Sequence, residues 1–511
     1  GAKIEVLGGA TNAATTTTKM RMSTTFRLEI VGSKLIQEYC KHDSIDAIKK
    51  IDAGYMRKMK FTEKKRVLQK DNTFFNDARF TDHNFRVAYK IENDNHVDNV
   101  NNPKVRETMR NWGSTKKTYR CMNRVRFKHP NYPIFVDVSV IKTNSKTRPK
   151  KGGKEIIIPT YTLKSSNAYA NQPHYEIELE MDNDTMENSE YKHLTPKSLI
   201  GMMKQCVRMV LSGLQDTPYP VSYSEQEQVY RDYMSLIHGA IENATHKRSK
   251  YPEPNDFIGP QSISLQQYNL YNENDVQLYN EQNKSTYRSV IQNYMVTEKA
   301  DGQRALLYIS TKGKMYMINS QMKVIFTGSV TNEQKCFNSL LDGEFIMSGK
   351  ENQLLFLYAA FDIYYIGSRK DPHVRNFAFY PDNADDLDEN SIDKTQYRLL
   401  LLQTFVNMLH PKPVAKTPHE SCLFRVQSKQ FCTGNTIFEA CKNVLSLKDS
   451  HPYETDGLIL TPTNTGVGSD KAQQSGPLKK HTWNLSFKWK PPEYNTIDFY
   501  VITEKDKTNN K

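Results

Sequence analysis

Side chains from His174 to Met181 alternate without a break, with three glutamates on one side and Tyr, Ile, Leu and Met on the other. A period of two is typical of a β-strand whose two faces meet different surroundings. Shorter segments of β type, separated by polar turns, occupy the chain up to about residue 180: Phe85 to Ile91, Thr118 to Phe127, Ile134 to Lys142 and Glu155 to Leu163. This part of the chain is therefore predicted to be rich in β-strands.

Two segments then change to the period of amphipathic helices, roughly Pro196 to Gln215 and Ser224 to Asn243. Thr195 precedes the first, and Ser222 or Ser224 begins the second, so each helix has a suitable N-cap. Residues 247–260 contain three prolines after a charged start and are predicted to be a linker.

A second β-rich region runs from about Tyr294 to Val501, interrupted by a predicted helix from Ser391 to Leu409. Residues 382–389 form an acidic loop, and residues 463–474, rich in Gly, Ser and Asn, are predicted to be a flexible loop. Runs of strands and helices that do not alternate regularly indicate an α+β fold.

Composition narrows the class of protein. The chain has 511 residues, 37% hydrophobic and 11% aromatic, which predicts two to four folded domains. It has no apolar run as long as a membrane span and no secretory signal, so a membrane protein and a secreted protein are both disfavoured. Seven cysteines without a CxxC pair predict reduced thiols in a cytosol-like compartment. A formal charge of +13 suggests a polyanionic partner, first of all a nucleic acid.

The sharpest chemical signal is Lys299-Ala300-Asp301-Gly302-Gln303-Arg304, between two apolar strands. A lysine at a strand end, a tight turn and a returning arginine would converge on one pocket. Such a lysine attacks phosphorus only as the neutral amine, so Arg304 and a metal ion would have to favour loss of its proton. The alternative is an ordinary hairpin, because Asp-Gly is a common turn.

Further fragments follow in order. Glu344 lies in Leu-Asp-Gly-Glu-Phe, Phe361 precedes an aspartate after an apolar strand, and Asp456 and Ile459 lie in Glu-Thr-Asp-Gly-Leu-Ile. Lys488 and Lys490 are two apart on a strand that Pro491 and Pro492 end, so both lysines face one way. Each fragment alone would suit a plain turn or edge strand, but their order and spacing together favour a site.

This series resembles the covalent nucleotidyltransferase superfamily, which contains mRNA guanylyltransferases and DNA and RNA ligases. The resemblance implies a phosphoramidate between Lys299 and a nucleoside monophosphate, a metal ion on Asp456, and nucleotide contacts from a set of further residues: Arg304, Glu344, Phe361, Ile459, Lys488 and Lys490. Phe361 and Ile459 would sandwich the base, Lys488 and Lys490 would hold the α-phosphate, and Arg304 and Glu344 would hold ribose or phosphate. Two features depart from the family: only 21 residues follow Lys490, too few for its closing OB domain, and residues 317–321 lack a family arginine.

The glutamates of the alternating strand, Glu176, Glu178 and Glu180, repel one another on one face unless water or a cation relieves them. A solvated sheet face is the plain alternative. The alternative of a solvated face is less favoured because neighbouring β-type segments carry basic residues. These are Arg120, Arg124, Arg126 and Lys142, with Asp137 and Ser139 beside them. Carboxylates facing guanidinium groups across a barrel would bind a metal–triphosphate complex, with Mg²⁺ or Mn²⁺ on the three glutamates and the phosphates on Arg124, Arg126 and Lys142.

The glutamate strand resembles that of the triphosphate-tunnel RNA triphosphatases. A triphosphatase followed by a guanylyltransferase is the layout of the mRNA-capping enzymes of large DNA viruses. Two short sequence segments, residues 257–260 and 494–499, also resemble that group. The tunnel family uses a second acidic strand near its N-terminus. The nearest candidate here is Lys3-Ile4-Glu5, which has lysine where the first acid would stand.

The resemblance predicts four regions: an RNA triphosphatase domain with an antiparallel tunnel-like barrel (1–246), a linker (247–260), a guanylyltransferase domain of antiparallel sheets flanked by helices (261–495), and the start of a largely missing OB-like domain (496–511). The predicted function is mRNA 5′-capping, by removal of the RNA γ-phosphate and transfer of GMP from GTP through Lys299. The alternatives are an ATP-dependent RNA ligase and a non-catalytic RNA-binding scaffold. The predicted partners are 5′-triphosphate RNA, GTP and a methyltransferase domain or subunit, without a membrane, in the host cytoplasm or virion.

The charge is uneven along the chain. Residues 1–250 hold 42 basic and 28 acidic side chains, whereas residues 251–511 hold 28 and 29. Residues 101–150 alone carry 13 basic and 2 acidic side chains. The excess is therefore predicted to lie on the strands that would meet the triphosphate end.

Overall fold

The computed structural model describes residues 2–8, 25–49, 59–96, 103–148, 155–187, 191–239, 252–381, 393–415 and 424–502. The chain divides into two compact units, Gly1–Val210 and Leu211–Lys511. No helix among the described residues is long and apolar enough to cross a membrane. The predicted acidic loop at 382–389 lies outside the described residues.

The first unit is built mainly from antiparallel strands. They are β1 Ala2–Gly8, β2 Thr25–Val31, β3 Met59–Arg66, β4 Ala78–Phe80, β5 Phe85–Val87, β6 Lys90–His96, β7 Lys117–Lys128, β8 Ile134–Thr143, β9 Lys146–Thr147, β10 Ile156–Ile157 and β11 His174–Met181. Its helices are α1 Ser33–His42, α2 Ile45–Lys49, α3 Pro103–Arg110, α4 Leu163–Ser166, α5 Asn183–Met186 and the beginning of α6 Pro196–Gln215.

Seven of the described strands form one sheet in the order β11-β8-β7-β1-β2-β3-β6, hereafter the first sheet. One face is apolar, because Leu28, Ile30, Phe61 and Tyr119 alternate with polar neighbours and pack with α1 side chains such as Tyr39. The opposite face carries the charged residues described below. Among the described residues no pairing joins β11 to β6, so closure of this sheet into a tunnel-like barrel stays a prediction.

The second unit contains the rest of α6 and four further helices among the described residues: α7 Tyr223–His238, α8 Glu273–Asn283, α9 Arg398–Leu409 and α10 Ile437–Ser446. Its strands are β12 Gln261–Ser264, β13 Tyr294–Ala300, β14 Gln303–Ile309, β15 Lys314–Asn319, β16 Val324–Val330, β17 Ser339–Ser348, β18 Leu354–Tyr365, β19 Lys412–Pro413, β20 Arg425–Ser428, β21 Thr455–Pro462 and β22 Thr482–Trp489.

The described strands of the second unit form two sheets. The small sheet has the order β12-β22-β21-β13, and the large sheet has the order β19-β16-β15-β14-β17-β18-β20. Helix α10 packs on the small sheet through Ile437, Ala440 and Val444, and α9 packs on the large sheet through Leu402 and Phe405. This mixed α+β architecture agrees with the predicted fold class.

The boundary between the two units lies in the chain at Val210/Leu211, whereas the sequence predicted a domain boundary at 246–247. The reason is packing: Val229 and Tyr233 of α7 join a core with Leu306 and Tyr308 of β14. Phe257 and Ile258, in the predicted linker, are buried in the same core. The described part of that segment, residues 252–260, is thus integral to the second unit.

Several predicted elements have the expected bounds, and others do not. Helix α6 matches its prediction, and Thr195 Oγ1 accepts a hydrogen bond from the Ser198 amide at 3.2 Å as its cap. The strand predicted for residues 155–163 is wrong beyond Ile156–Ile157, because Pro159 cannot continue a ladder and a short helix, α4, begins at Leu163. Residues 496–502 are exposed and form no described strand, so the OB-like start stays a prediction.

Candidate active sites

The chain passes from the small sheet to the large sheet at Asp301-Gly302. Lys299 lies near the end of β13 in the small sheet, whereas Arg304 lies at the beginning of β14 in the large sheet. The two strands do not pair, so the ordinary hairpin is excluded. A Cβ on Gly302 would lie 2.7 Å from Glu344 Cγ and 2.8 Å from the Phe345 carbonyl oxygen, which leaves no room for a side chain at this crossing.

Lys299, Asp456 and Lys490 form an ion-paired cluster beside the crossing. Lys299 Nζ donates to Asp456 Oδ1 at 2.7 Å, and Lys490 Nζ lies 2.5 Å from Asp456 Oδ2. Burial alone would raise the pKa of Asp456, but the hydrogen bonds from the two lysines hold it below its usual value. One carboxylate thus neutralises part of two positive charges, and the cluster keeps a net positive charge that suits a phosphate.

Gly457 explains how Asp456 and Lys490 approach each other. Its φ is +150°, and a Cβ there would lie 2.0 Å from the Trp489 carbonyl oxygen. Only glycine permits this contact between β21 and the end of β22.

Arg304 is anchored by the large sheet. Its Nε and Nη2 donate to both carboxylate oxygens of Asp342 at 3.1 and 2.6 Å, and its Nη1 donates to the Pro260 carbonyl oxygen at 2.6 Å. Its guanidinium lies over the ring of Phe361, 5.4 Å from the centroid. Burial opposes its charge, but the pair with Asp342 raises the pKa of Arg304 above its usual value.

Glu344 is the backbone partner of Arg304 on β17. Burial raises the pKa of Glu344 to about 6, against the opposing effect of Lys429, Arg304 and Lys299 nearby. This carboxyl therefore changes its charge close to neutral pH.

Phe361 and Ile459 belong to different sheets. The register of β17 and β18 shifts between Asp342 and Gly343, so Phe361 is the extra residue of a β-bulge, a feature that re-aims side chains. Ile459 pairs with Lys488 across β21 and β22. The side chains of Phe361 and Ile459 are both half-buried. Lys488 is exposed, unlike Lys490. The predicted residues of the second unit are thus divided between its two sheets, with Lys299, Asp456, Ile459, Lys488 and Lys490 on strands or strand ends of the small sheet, and Arg304, Glu344 and Phe361 on the large sheet.

Three buried residues of this region are absent from the predicted site: Asp342, Glu298 and Lys429. Lys429 Nζ lies 3.2 Å from Glu298 Oε1, with both side chains 4% exposed, and Tyr453 donates to the same oxygen at 2.9 Å. Burial raises the pKa of Glu298, but Lys429 and these hydrogen bonds bring it below its usual value. Asp342 could have been found beside Glu344 in Leu-Asp-Gly-Glu, but no pattern around Lys429 marks it.

The first sheet carries the other predicted residues. Strand register places Glu176 opposite Ser139 and Arg124, and Glu178 opposite Asp137 and Arg126, so these side chains share one face. We name it the charged face. Glu29 joins it, because the registers of β1 with β2 and of β1 with β7 place it in the same cross-strand row as Arg120.

Ion pairs cross the charged face from strand to strand. Arg120 pairs with Glu176, and Arg124 contacts Ser139 Oγ at 2.9 Å, Asp137 Oδ2 at 3.0 Å and Glu178. Arg126 binds both oxygens of the fully buried Asp137 at 2.7 Å. Hydrogen bonding to Asp137 raises the pKa of Arg126. Arginines of β7 therefore pair with acids of β8 and β11 along this face.

Glu180 follows on the same face of β11, opposite Phe135. Lys142 does not join this face: it pairs with Cys121, and its Nζ donates to the Tyr169 carbonyl oxygen at 2.8 Å. Lys117 is also elsewhere, buried with its Nζ on the Trp112 carbonyl oxygen at 2.6 Å. The basic excess of residues 101–150 is thus only partly on the charged face, contrary to the prediction.

The oxygen donors suit a hard divalent cation in both units. Asp456 offers one carboxylate, and Mg²⁺ is often held by one or two carboxylates together with substrate phosphates. Glu176, Glu178 and Glu180 offer carboxylates on one strand face. The described residues hold no group of three acidic, histidine or cysteine side chains preassembled for a metal. Substrate phosphates would therefore complete either set of donors.

Comparisons with known proteins give matches to mRNA capping enzymes. Residues 221–378 match the family model described as "mRNA capping enzyme, catalytic domain". The chain is 24% identical over 361 residues, 65% of its length, to a "Probable mRNA-capping enzyme" of Acanthamoeba polyphaga mimivirus, of which it spans 26%. A solved structure titled "Pmar-Lig_Pre." aligns over 48% of each chain with 16% identity and a TM-score of 0.24, too low to support an argument. Residues 221–378 are therefore similar to the catalytic domain of mRNA capping enzymes, and the chain is similar over 361 residues to a probable capping enzyme of a mimivirus.

Proposed function

We propose that the chain caps the 5′ end of mRNA, with guanylyl transfer in the second unit and γ-phosphate removal in the first. The observation that carries the proposal is the Lys299–Asp456–Lys490 cluster, within a unit whose residues 221–378 match the capping-enzyme catalytic-domain model. The proposed nucleophilic lysine, a second lysine and a carboxylate converge there at the ends of neighbouring strands of the small sheet.

In the first step the neutral Lys299 amine attacks the α-phosphorus of GTP. An N–P bond forms, the bond between the α-phosphorus and the bridging oxygen breaks, and pyrophosphate leaves. Asp456 holds the ammonium before reaction and is placed to accept or relay its proton. In the second step a β-phosphate oxygen of the diphosphate RNA end attacks the same phosphorus, and Lys299 leaves as the amine and regains its proton.

The other predicted residues position GTP. Phe361 of the large sheet and Ile459 of the small sheet would provide apolar surfaces for the base. Glu344, when ionised, accepts hydrogen bonds from ribose hydroxyls, and Arg304 retains donors beyond those it gives to Asp342 and Pro260. Lys488 and Lys490 supply positive charge for the α-phosphate. A Mg²⁺ or Mn²⁺ ion held by Asp456 would supply Lewis-acid stabilisation of the phosphoryl oxygens.

The charged face of the first sheet supports the triphosphatase activity. Arg120, Arg124 and Arg126 would exchange their contacts with Glu176, Glu178 and Asp137 for phosphoryl oxygens, and Glu176 and Glu178 would then be available to hold a divalent cation together with Glu180. The substrate is 5′-triphosphate RNA, whose diphosphate product is what the second unit needs. The capped end would then pass to a methyltransferase domain or subunit.

Labelling with radioactive GTP tests the guanylyl transfer. Incubation with α-labelled GTP and Mg²⁺ or Mn²⁺ should attach label to the protein through an acid-labile bond, and chelation of the metal should abolish it. Lys299→Ala should lose the label completely, whereas Lys284→Ala, an exposed lysine at the end of α8, should keep it. Labelling by ATP in place of GTP would overturn the capping proposal in favour of an RNA ligase.

A further inference from the structure

A small hairpin of the first unit has no place in either proposed reaction. Strands β4 and β5 pair with each other, with Arg79 opposite Arg86 and Phe80 opposite Phe85. They lie in the connection between the neighbouring strands β3 and β6 and, among the described residues, belong to no other sheet. A two-stranded ribbon this short is marginally stable by itself. The exposed side chains on its two faces are therefore candidates for contact with a partner molecule.

One face of the hairpin is aromatic and exposed. The rings of Phe80 and Phe85 stack with centroids 4.6 Å apart and an angle of 14° between their planes. Phe80 is 46% exposed, and Tyr89, in edge-to-face contact with Phe75 at 5.5 Å, is 62% exposed. Clustered exposed apolar side chains mark interaction sites, and flat rings are the surfaces on which unpaired nucleobases stack.

The other face is basic. Arg79 and Arg86 are exposed and lie directly opposite each other, an arrangement in which like charges are destabilising. Asp77 partly neutralises Arg86, because its Oδ2 lies 3.4 Å from Arg86 Nη1. Arg79 has no ion-pair partner among the described residues. An anion bound here would relieve the repulsion.

We propose that this hairpin binds the single-stranded RNA that follows the 5′ end processed by the first unit. The inference rests on the proposed triphosphatase function, which makes RNA the substrate. Single-stranded RNA offers flat bases to the aromatic face and phosphates to the arginines, and stacking with electrostatic contact is the usual mode for such strands. A protein partner would need an apolar surface and an acidic surface on either side of a two-stranded ribbon.

The register of the first sheet gives the separation between the charged face and the base of the hairpin segment. Lys60, in the row that contains Glu5, Glu29 and Arg120, lies six residues before Arg66, and Arg66 pairs with Lys90 at the base of the hairpin segment. Six residues of strand span about 20 Å. A triphosphate on the charged face thus leaves the hairpin to nucleotides further along the chain, and a very short RNA would not reach it.

Fluorescence anisotropy of the full chain with labelled 5′-triphosphate RNA of about three and about 20 nucleotides tests the proposal. Phe80→Ala should weaken binding of the longer RNA about tenfold, since one stacked base contributes that much or more. Arg79→Ser should weaken it less and reduce the slope of log Kd against log salt by about 0.7, the value for one phosphate contact. Phe438→Ala and Arg231→Ser, at exposed positions of the second unit, are the matched controls.

Binding of the short RNA and GMP labelling of Lys299 should be unchanged in both hairpin variants. Unchanged affinity for the longer RNA at every salt concentration would overturn the proposal and favour a protein partner. An equal loss with the short RNA would overturn it as well, because the effect would then not depend on downstream nucleotides. Two separate measurements distinguish the hairpin proposal from the triphosphatase function on which it rests. Absence of γ-phosphate release from triphosphate RNA by the unmodified chain would refute the triphosphatase function. Anisotropy with 5′-hydroxyl RNA of about 20 nucleotides, which has no triphosphate, would still test whether the hairpin binds RNA.

Discussion

The two charged centres of this protein are built in different ways. On the charged face of the first sheet, acids and arginines face one another across consecutive strands in regular register. In the second unit, Lys299, Asp456 and Lys490 meet at the ends of three neighbouring strands of the small sheet, where the register of β13 and β21 shifts and β21 approaches the end of β22 closely at Gly457. We expect the repeated pattern to make the first centre less dependent on any single group than the second.

The largest expected effect is that of Asp456. Asp456→Asn should reduce GMP labelling by about 1,000-fold, because it removes the proton acceptor of Lys299 and the carboxylate proposed for the metal. Asp470→Asn, an exposed acid in the loop before β22, is the matched control. The measurement is the initial rate of labelling at saturating GTP. A loss below tenfold would mean that the second centre depends on this single carboxylate less than the first depends on Glu178.

Stability should also distinguish the ion pairs of the two units. Asp362 pairs with the fully buried Arg398 at 2.9 Å, so Asp362→Asn should lower the free energy of unfolding by about 3–5 kcal/mol. Arg120→Ala removes a partly exposed ion pair of the charged face and should cost only about 0–1 kcal/mol. Urea unfolding of the two variants makes the comparison. Equal losses would contradict it.

Removal of one acid from the charged face should give a smaller effect on rate. Glu178→Ala should slow γ-phosphate release from triphosphate RNA by about 100-fold and leave GMP labelling intact. Glu187→Ala, an exposed acid after α5, should change neither activity. Release at the unmodified rate by Glu178→Ala would rule out the assignment of this face as a triphosphatase site.

The smallest effect is a pH dependence from Glu344. The pKa of Glu344 is about 6, above its ordinary value of 4.5, so the ionised acceptor is lost as pH falls through 6 and GMP labelling should decrease about tenfold per pH unit below that point. Glu344→Gln should have a lower rate without this acid limb. Because the folded pKa is raised, ionisation opposes folding, and stability should fall by up to about 2 kcal/mol as pH rises from 4.5 to 6.

The sequence predicted those parts of the fold that local patterns determine. The period of two placed β11 at its observed bounds, and the helical period with Thr195 and Pro196 placed α6. The order of the motifs also grouped Lys299, Asp456 and Lys490, which the structure brings into contact, while their chemical roles stay a prediction. Lys142 was misplaced although parity could have excluded it: it is an odd number of residues from Asp137 and Ser139, and so faces the other way.

Other features depend on contacts between residues far apart in sequence. The boundary at 210 follows from the packing of α7 on β14, and the role of Lys429 follows from an ion pair that spans more than a hundred residues. The passage of Lys299 and Arg304 into separate sheets cannot be seen in Lys-Ala-Asp-Gly-Gln-Arg, which would suit a hairpin equally well.

The crowded glycines at 302 and 457 have a consequence for mutational tolerance. Neither residue offers a side chain to a nucleotide, yet a methyl group at either position would meet backbone within 3 Å. A systematic scan of substitutions should therefore find both positions as intolerant as Lys299 itself, while exposed Lys488, which has a proposed chemical role, should accept arginine. In this protein, intolerance to substitution would mark the clearance between strands as much as the chemistry.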